Sequence, residues 1–307
     1  MTTGYVTHEL CMKHDMGAWH PESPARLAAI NDQLLAAGVL VHLEACEAPE
    51  ATRMQIERAH DAQYVDDLIA AVPQQGYAEL DPDTVMNPHT WAAALRAAGA
   101  VVQATDQVMR QHWRNAFCAV RPPGHHAGRH QAMGFCFLNN VAIGVRHALH
   151  EHGLQRVAVF DFDVHHGNGT ENILAGDERV LMTGFFQHPF HPYSGTGQTA
   201  KNMVNVPLPA GTGGEAMRQA VHDICLPRLE AFAPQMIFIS AGFDAHREDD
   251  LGQMALVEAD YAWMTQQLMR VADTHAQGRI VSALEGGYNL SALGRSVVAH
   301  VRTLAGI

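Results

Sequence analysis

Five short apolar runs recur along the chain: Phe117-Cys118-Ala119-Val120, Val157-Ala158-Val159-Phe160, Val180-Leu181-Met182, Met236-Ile237-Phe238-Ile239 and Arg279-Ile280-Val281-Ser282-Ala283-Leu284. Each is apolar at consecutive rather than alternate positions, so as a strand it has two faces to hide from water. Segments with the helical spacing of apolar residues surround them, over 25–37, 61–72, 90–111, 137–151, 214–231, 258–276 and 291–304. Strands buried on both faces and alternating with helices belong to a mostly parallel sheet between two helical layers, which makes the fold class three-layer α/β. Ser23-Pro24 and Gly38 punctuate the first helix. Gly99 and Gly144, inside helical patterns, mark close packing rather than breaks. No repeat, low-complexity tract or Pro/Ser-rich linker intervenes, so residues 1–307 read as a single domain. Its 47% hydrophobic residues suffice for a sizeable core.

Charge narrows the partners. Thirty-two acidic against twenty basic side chains give a formal charge of -12, which repels nucleic-acid phosphates and weakly favours cationic ligands. The opening MTTGYVTHELCMKHD has no apolar core of a signal peptide, and no segment approaches the roughly 18 apolar residues that span a bilayer. A soluble, cytoplasmic protein with no membrane partner is expected. The five cysteines, at 11, 46, 118, 136 and 225, include no Cys-x-x-Cys. Neither a disulfide framework nor a thiolate zinc site is indicated, and Cys118 and Cys136 read as packing residues.

The polar residues that matter follow the apolar runs directly. After Val120 comes Arg121-Pro122-Pro123-Gly124-His125-His126; after Phe160 comes Asp161-Phe162-Asp163-Val164-His165-His166-Gly167-Asn168-Gly169; after Ile239 comes Ser240-Ala241-Gly242-Phe243-Asp244; after Leu284 comes Glu285-Gly286-Gly287-Tyr288. In an α/β sheet ligands bind beyond the carboxyl ends of the strands, which is where all four clusters fall. Asp163 and His165 are two apart, so on extended backbone their side chains share a side and can share an ion. Asp244 supplies a third ligand from another strand. Three such ligands without cysteine leave room for water and a substrate carbonyl; zinc suits them best, and ferrous iron fits the same set. Singly, each motif has a plainer reading, a capping carboxylate or a solvated histidine pair, but their coincidence at one sheet edge joins them into one site.

In these motifs the chain resembles the zinc-dependent histone deacetylase superfamily, in its class II and bacterial deacetylase-like branch. The resemblance rests on His20-Pro21-Glu22-Ser23-Pro24-x-Arg26-Leu27, Arg121 to Ala127, Gly134-Phe135-Cys136-Phe137-Leu138-Asn139-Asn140, Asp161 to Gly169, Ser240 to Asp244 and Leu284 to Tyr288. It implies the eight-stranded arginase/deacetylase fold, with Asp163, His165 and Asp244 as metal ligands. It also implies that His125 and His126 form a catalytic pair backed by Asp161 and Asn168, the asparagine being the class II form, and that Tyr288 polarises the acyl carbonyl. By the same resemblance Gly134, Phe135 and Tyr193 wall an acyl-lysine tunnel, Leu251 forms its apolar rim, and Asp83 is a rim aspartate that could equally cap a helix. Relatives hold potassium near Asp161; here Gly184 stands where a serine ligand is usual. The implied substrate is an acylated amine, acetyl-lysine or an acetylpolyamine, and a homo-oligomer is left open.

Other readings fare less well. A binuclear manganese hydrolase of the arginase type needs further carboxylates where this chain has Gly167 and His246, and no His-Glu-x-x-His suggests a zincin protease. A non-catalytic acyl-lysine binder would have no use for His125, His126 and Tyr288.

Overall fold

The computed structural model describes residues 2–307. Its strands are β1 (Thr2–Thr7), β2 (Leu43–Glu47), β3 (Ala78–Asp81), β4 (Thr84–Met86), β5 (Trp113–Cys118), β6 (Val157–Asp161), β7 (Val180–Gln187), β8 (Met203–Leu208), β9 (Met236–Ala241) and β10 (Ile280–Leu284). Eight of them form one sheet in the order β2-β1-β5-β10-β9-β6-β7-β8, and every neighbouring pair is parallel. β3 and β4 make a separate antiparallel hairpin. All residues of β6, β7, β9 and β10 are buried, as consecutive apolar positions require when both faces are covered.

The covering helices follow the apolar spacing closely. They include Ala25–Ala36, Ala62–Ala71, Thr90–Met109, Asn140–Glu151, Glu258–His275 and Leu290–Ala305. The segment expected to be helical over 214–231 is interrupted by a π turn at Val221–Cys225. Pro227 follows at once; with no N–H to donate and a ring that crowds the preceding turn, it favours such a local widening. Gly144 lets helix Asn140–Glu151 sit on the sheet: a Cβ there would lie 2.5 Å from Val101 Cγ1 and 2.8 Å from the Phe238 ring.

Three strands of the eight-stranded sheet, β1, β2 and β8, are not among the apolar runs. β2 and β8 are the sheet's edges, where half the ladder faces outward, and β8 accordingly tolerates Pro207. β1 lies inside the sheet but is rich in threonine. Its buried Thr3 is satisfied by Asn115 Oδ1 at 2.7 Å, which removes the cost of burying a hydroxyl there.

This order sets the site. The four strands with polar clusters at their carboxyl ends, β5, β10, β9 and β6, are consecutive neighbours. Among the described residues no helix is long and apolar enough to cross a membrane, and all five cysteines are free.

Candidate active site

β6 and β9 run side by side with Asp161 opposite Ser240, so the loops that leave them deliver Asp163, His165 and Asp244 to one point. One ligand atom from each lies within 4.8 Å of the others. His165 Nδ1 is 3.0 Å from Asp163 Oδ1 and 3.3 Å from Asp244 Oδ2. Backbone donors fix the carboxylates: Asp163 Oδ2 accepts from Gly286 N at 2.8 Å, and Asp244 Oδ1 accepts from Val164 N at 2.9 Å. Asp244 Oδ2 is buried and makes no hydrogen bond among the described residues, a costly state for a carboxylate oxygen unless a cation meets it. Only glycine is tolerated at 286, because a Cβ there would collide with the Oδ2 atoms of both aspartates. The donor set and its orphaned oxygen therefore fit a divalent ion.

The electrostatics agree. Burial raises the pKa of Asp244, and the nearby Asp163 carboxylate raises it further. Burial alone would lower the pKa of His165, but the Asp163 carboxylate, hydrogen-bonded to the ring, and the nearby Asp244 carboxylate outweigh it and bring the ring up to about 10. Two buried carboxylates thus hold one proton where a cation would otherwise sit.

His125 and His126 follow β5, their rings 4.1 Å apart. His125 Nδ1 lies 3.0 Å from Asp161 Oδ2, and its Nε2 is 3.7 Å from Asp163 Oδ2. Burial would depress His125, yet the Asp163 and Asp161 carboxylates prevail and hold its pKa well above the ordinary histidine value. His126 Nδ1 lies 2.6 Å from Asn168 Oδ1. Burial and then the neighbouring His125 and His165 push it well below that value. An amide oxygen on Nδ1 needs the proton on that nitrogen, which leaves the Nε2 lone pair of a neutral ring free. Two adjacent imidazoles with oppositely shifted pKa values can divide the labour of proton transfer.

A pocket of about 280 Å³ leads to this point, lined by Gly134, Phe135 and Tyr288 together with Phe190, His191 and Leu251. His126 and His165 form its floor, and Asp83 and Asp250 also line it. Tyr288 packs edge-on to Phe135 at 5.8 Å. Burial keeps its phenol protonated well above the usual range, against the lowering effect of the Arg26 guanidinium 4.9 Å from the ring centroid. Asp83 caps no helix; it sits in the β3–β4 turn, where Oδ1 accepts from Gly134 N at 3.1 Å. Tyr193 does not line this pocket: it has a positive φ of 57° and is 74% exposed, while Phe190, stacked on the His165 ring at 5.3 Å, and His191 form that wall. Gly184 pairs with Asp161 across β6 and β7 and offers no side-chain ligand to a cation beside it.

Several residues to which the sequence assigns no role support the site. Glu285 Oε2 accepts from Gly124 N at 2.6 Å and His125 N at 3.0 Å, anchoring the histidine loop, and burial pushes its pKa up to about 7. Arg26 donates to Gly287 O at 2.6 Å and to Glu22 at 3.0 Å, and Glu22 in turn pairs with Arg121. Asp249 Oδ2 accepts from Tyr288 N at 2.6 Å and Asn289 N at 2.9 Å, while its Oδ1 accepts from Leu251 N at 3.0 Å. One buried carboxylate thus clamps the loops bearing Tyr288 and Leu251. The Asp249→Ala change is expected to lower kcat about tenfold or more with metal content unchanged, since a shift of about 1 Å in a reacting group costs up to ~10²-fold. Steady-state kinetics with metal analysis checks this.

The arrangement agrees with what the chain is similar to. The histone deacetylase domain profile matches residues 20–304. A probable deacetylase of Archaeoglobus fulgidus is 38% identical over 94% of this chain and 82% of its own length. Type-2 histone deacetylase 2 of Dictyostelium discoideum is 36% identical over 97% of this chain, which spans only 20% of that protein. The crystal structure of the HDA15 HD domain superposes with a TM-score of 0.93 at 34% identity, covering 100% of this chain and 89% of that one. Four adjacent strand ends carrying this constellation, and relatives alike over nearly the whole length, place the chain in the histone deacetylase family.

Proposed function

We propose that the chain is a zinc-dependent deacylase that removes acetyl or other short acyl groups from an amine on an aliphatic stem, acetyl-lysine foremost. The observation that carries this reading is the convergence of Asp163, His165 and an otherwise unpartnered Asp244 Oδ2 at the floor of a pocket walled by Phe135, Phe190 and Leu251. Asp163, His165 and Asp244 would hold the ion, zinc before ferrous iron; when bound it supplies a Lewis acid that polarises the carbonyl and lowers the pKa of a water towards about 7. Potassium beside Asp161 would find no side chain at Gly184 to hold it.

His126 Nε2 takes a proton from the attacking water, the bond from water oxygen to the acyl carbon forms, and Tyr288 donates its O–H to the oxygen that gains charge. His126 then returns the proton to the amide nitrogen as the carbon–nitrogen bond breaks, and the carboxylic acid so formed gives up its remaining proton to the amine, leaving ammonium and carboxylate. His125, held by Asp161, keeps a positive ring beside the developing anion. Phe135, Phe190 and Leu251 bind the stem and exclude water.

The Tyr288→Phe change is expected to lower kcat by roughly 10²–10³, the cost of removing one oxyanion donor, with metal content retained. Near-normal turnover would remove Tyr288 from this role. Asp83 and Asp250 on the pocket lining and the formal charge of -12 favour a cationic carrier of the acyl group, so acetylpolyamines stand as a second reading. Comparing kcat/KM across acetyl-lysine peptides, acetylputrescine, acetylspermidine and longer acyl-lysines separates the two. Failure to turn over any of them would contradict the proposal.

A further inference from the structure

Two imidazoles and a carboxylate also meet outside the pocket. Asp106 lies in the last turn of helix Thr90–Met109, His147 in the third turn of helix Asn140–Glu151, and His152 caps that second helix. The Nε2 atoms of both histidines lie 2.8 Å from the same Asp106 Oδ1. Their rings stand at 79° with centroids 5.5 Å apart, and one ligand atom from each of the three residues lies within 4.8 Å of the others. The side chains are 27%, 4% and 18% exposed for Asp106, His147 and His152, so the group is held by its helices yet reachable from solvent.

We propose that Asp106, His147 and His152 form a second metal site, for a borderline divalent ion such as zinc or nickel, distinct from the one at Asp163, His165 and Asp244. Imidazole nitrogens and a carboxylate oxygen are the donors such ions prefer, and three protein ligands leave a position for water. Donor atoms bound at about 2.0–2.2 Å around one tetrahedral ion stand roughly 3.3–3.6 Å apart, so the two Nε2 atoms must each open from their 2.8 Å contact with Asp106 Oδ1 by under roughly 1 Å, which the partly exposed ends of the Asp106 and His152 side chains allow.

Two cations temper the affinity. Arg58 Nη1 is 3.4 Å from His147 Nδ1, although Arg58 already pairs with Glu151, and Arg110 Nη2 is 3.8 Å from Asp106 Oδ2. The site is therefore weaker than the first, and the Arg58→Gln change tightens it. An ion there would staple two helices together. The second of them buttresses the histidine loop from its other end, through Asn139 Nδ2 to Ala127 O at 3.0 Å and Asn140 Nδ2 to Pro122 O at 3.1 Å.

The test counts metal on the full chain after chelator treatment and titration with zinc or nickel. Two ions are expected per wild-type chain, one in His152→Ala, one in His165→Ala and none in the double variant. Zinc should raise the Tm of His165→Ala but not of the double variant, while His152→Ala keeps its deacetylase turnover within about twofold. Should the alanine variant fold poorly, Asp106→Asn, which still accepts from both rings but lacks the charge, is expected to bind at least several-fold more weakly. The site is overturned if wild type takes up a single ion, or if His165→Ala and the double variant bind metal alike.

Discussion

The Asp244→Asn change is expected to abolish deacetylation while leaving the metal-free chain as stable as wild type or more so. Asp244 is fully buried beside Asp163, and its pKa is raised by burial and by that second carboxylate. Without a metal ion, burial and the Asp163 charge outweigh the attraction of the protonated His165 ring, so neutralising Asp244 relieves a cost that the ion would otherwise offset. The asparagine keeps the oxygen that accepts from Val164 N, so the loop holds its shape. It removes the charge that faces His165, and turnover should fall by more than the roughly 10²-fold that loss of an outer-sphere partner costs. Thermal melts with and without chelator, beside metal analysis, check both halves. A variant that loses activity only because it unfolds would show a lowered Tm under chelation.

The His126→Ala change is expected to lower kcat by about 10²–10⁴, the usual span of a general base, with metal uptake intact. The assignment follows from what each ring can do. His126 presents a neutral imidazole whose Nδ1–H is engaged by Asn168, whereas His125 is held protonated between Asp161 and Asp163 and has no lone pair to offer. Single-turnover kinetics on His126→Ala and His125→Ala compare them. If the His125 variant alone loses turnover, the two roles are reversed.

Much of this was readable from residues alone, for identifiable reasons. Consecutive apolar positions can only be satisfied between two layers, so the central strands and their parallel pairing followed from composition and order. The polar clusters then fell at one sheet edge because every parallel strand points the same way. What escaped depends on contacts distant in sequence. Asp249 is one acid among many until Tyr288 N and Asn289 N arrive beside it, 39 and 40 residues on. Tyr193 and Phe190 are both aromatic within one short loop, and only the folded loop, which leaves Tyr193 exposed and seats Phe190 on the His165 ring, decides which lines the pocket. β1 hid because Thr3 is polar in sequence and satisfied in space by Asn115.

Zinc dependence is tested by turnover of an acetyl-lysine peptide by wild-type chain stripped of metal and then given zinc stepwise. It predicts loss of activity to background and recovery on addition. Because the ion must displace the proton that Asp163 and Asp244 hold on His165, whose pKa stands at about 10, the zinc concentration giving half recovery should fall as pH rises from 6 to 8, by about tenfold per unit for one proton. Undiminished turnover in chain shown by elemental analysis to be free of metal would contradict it.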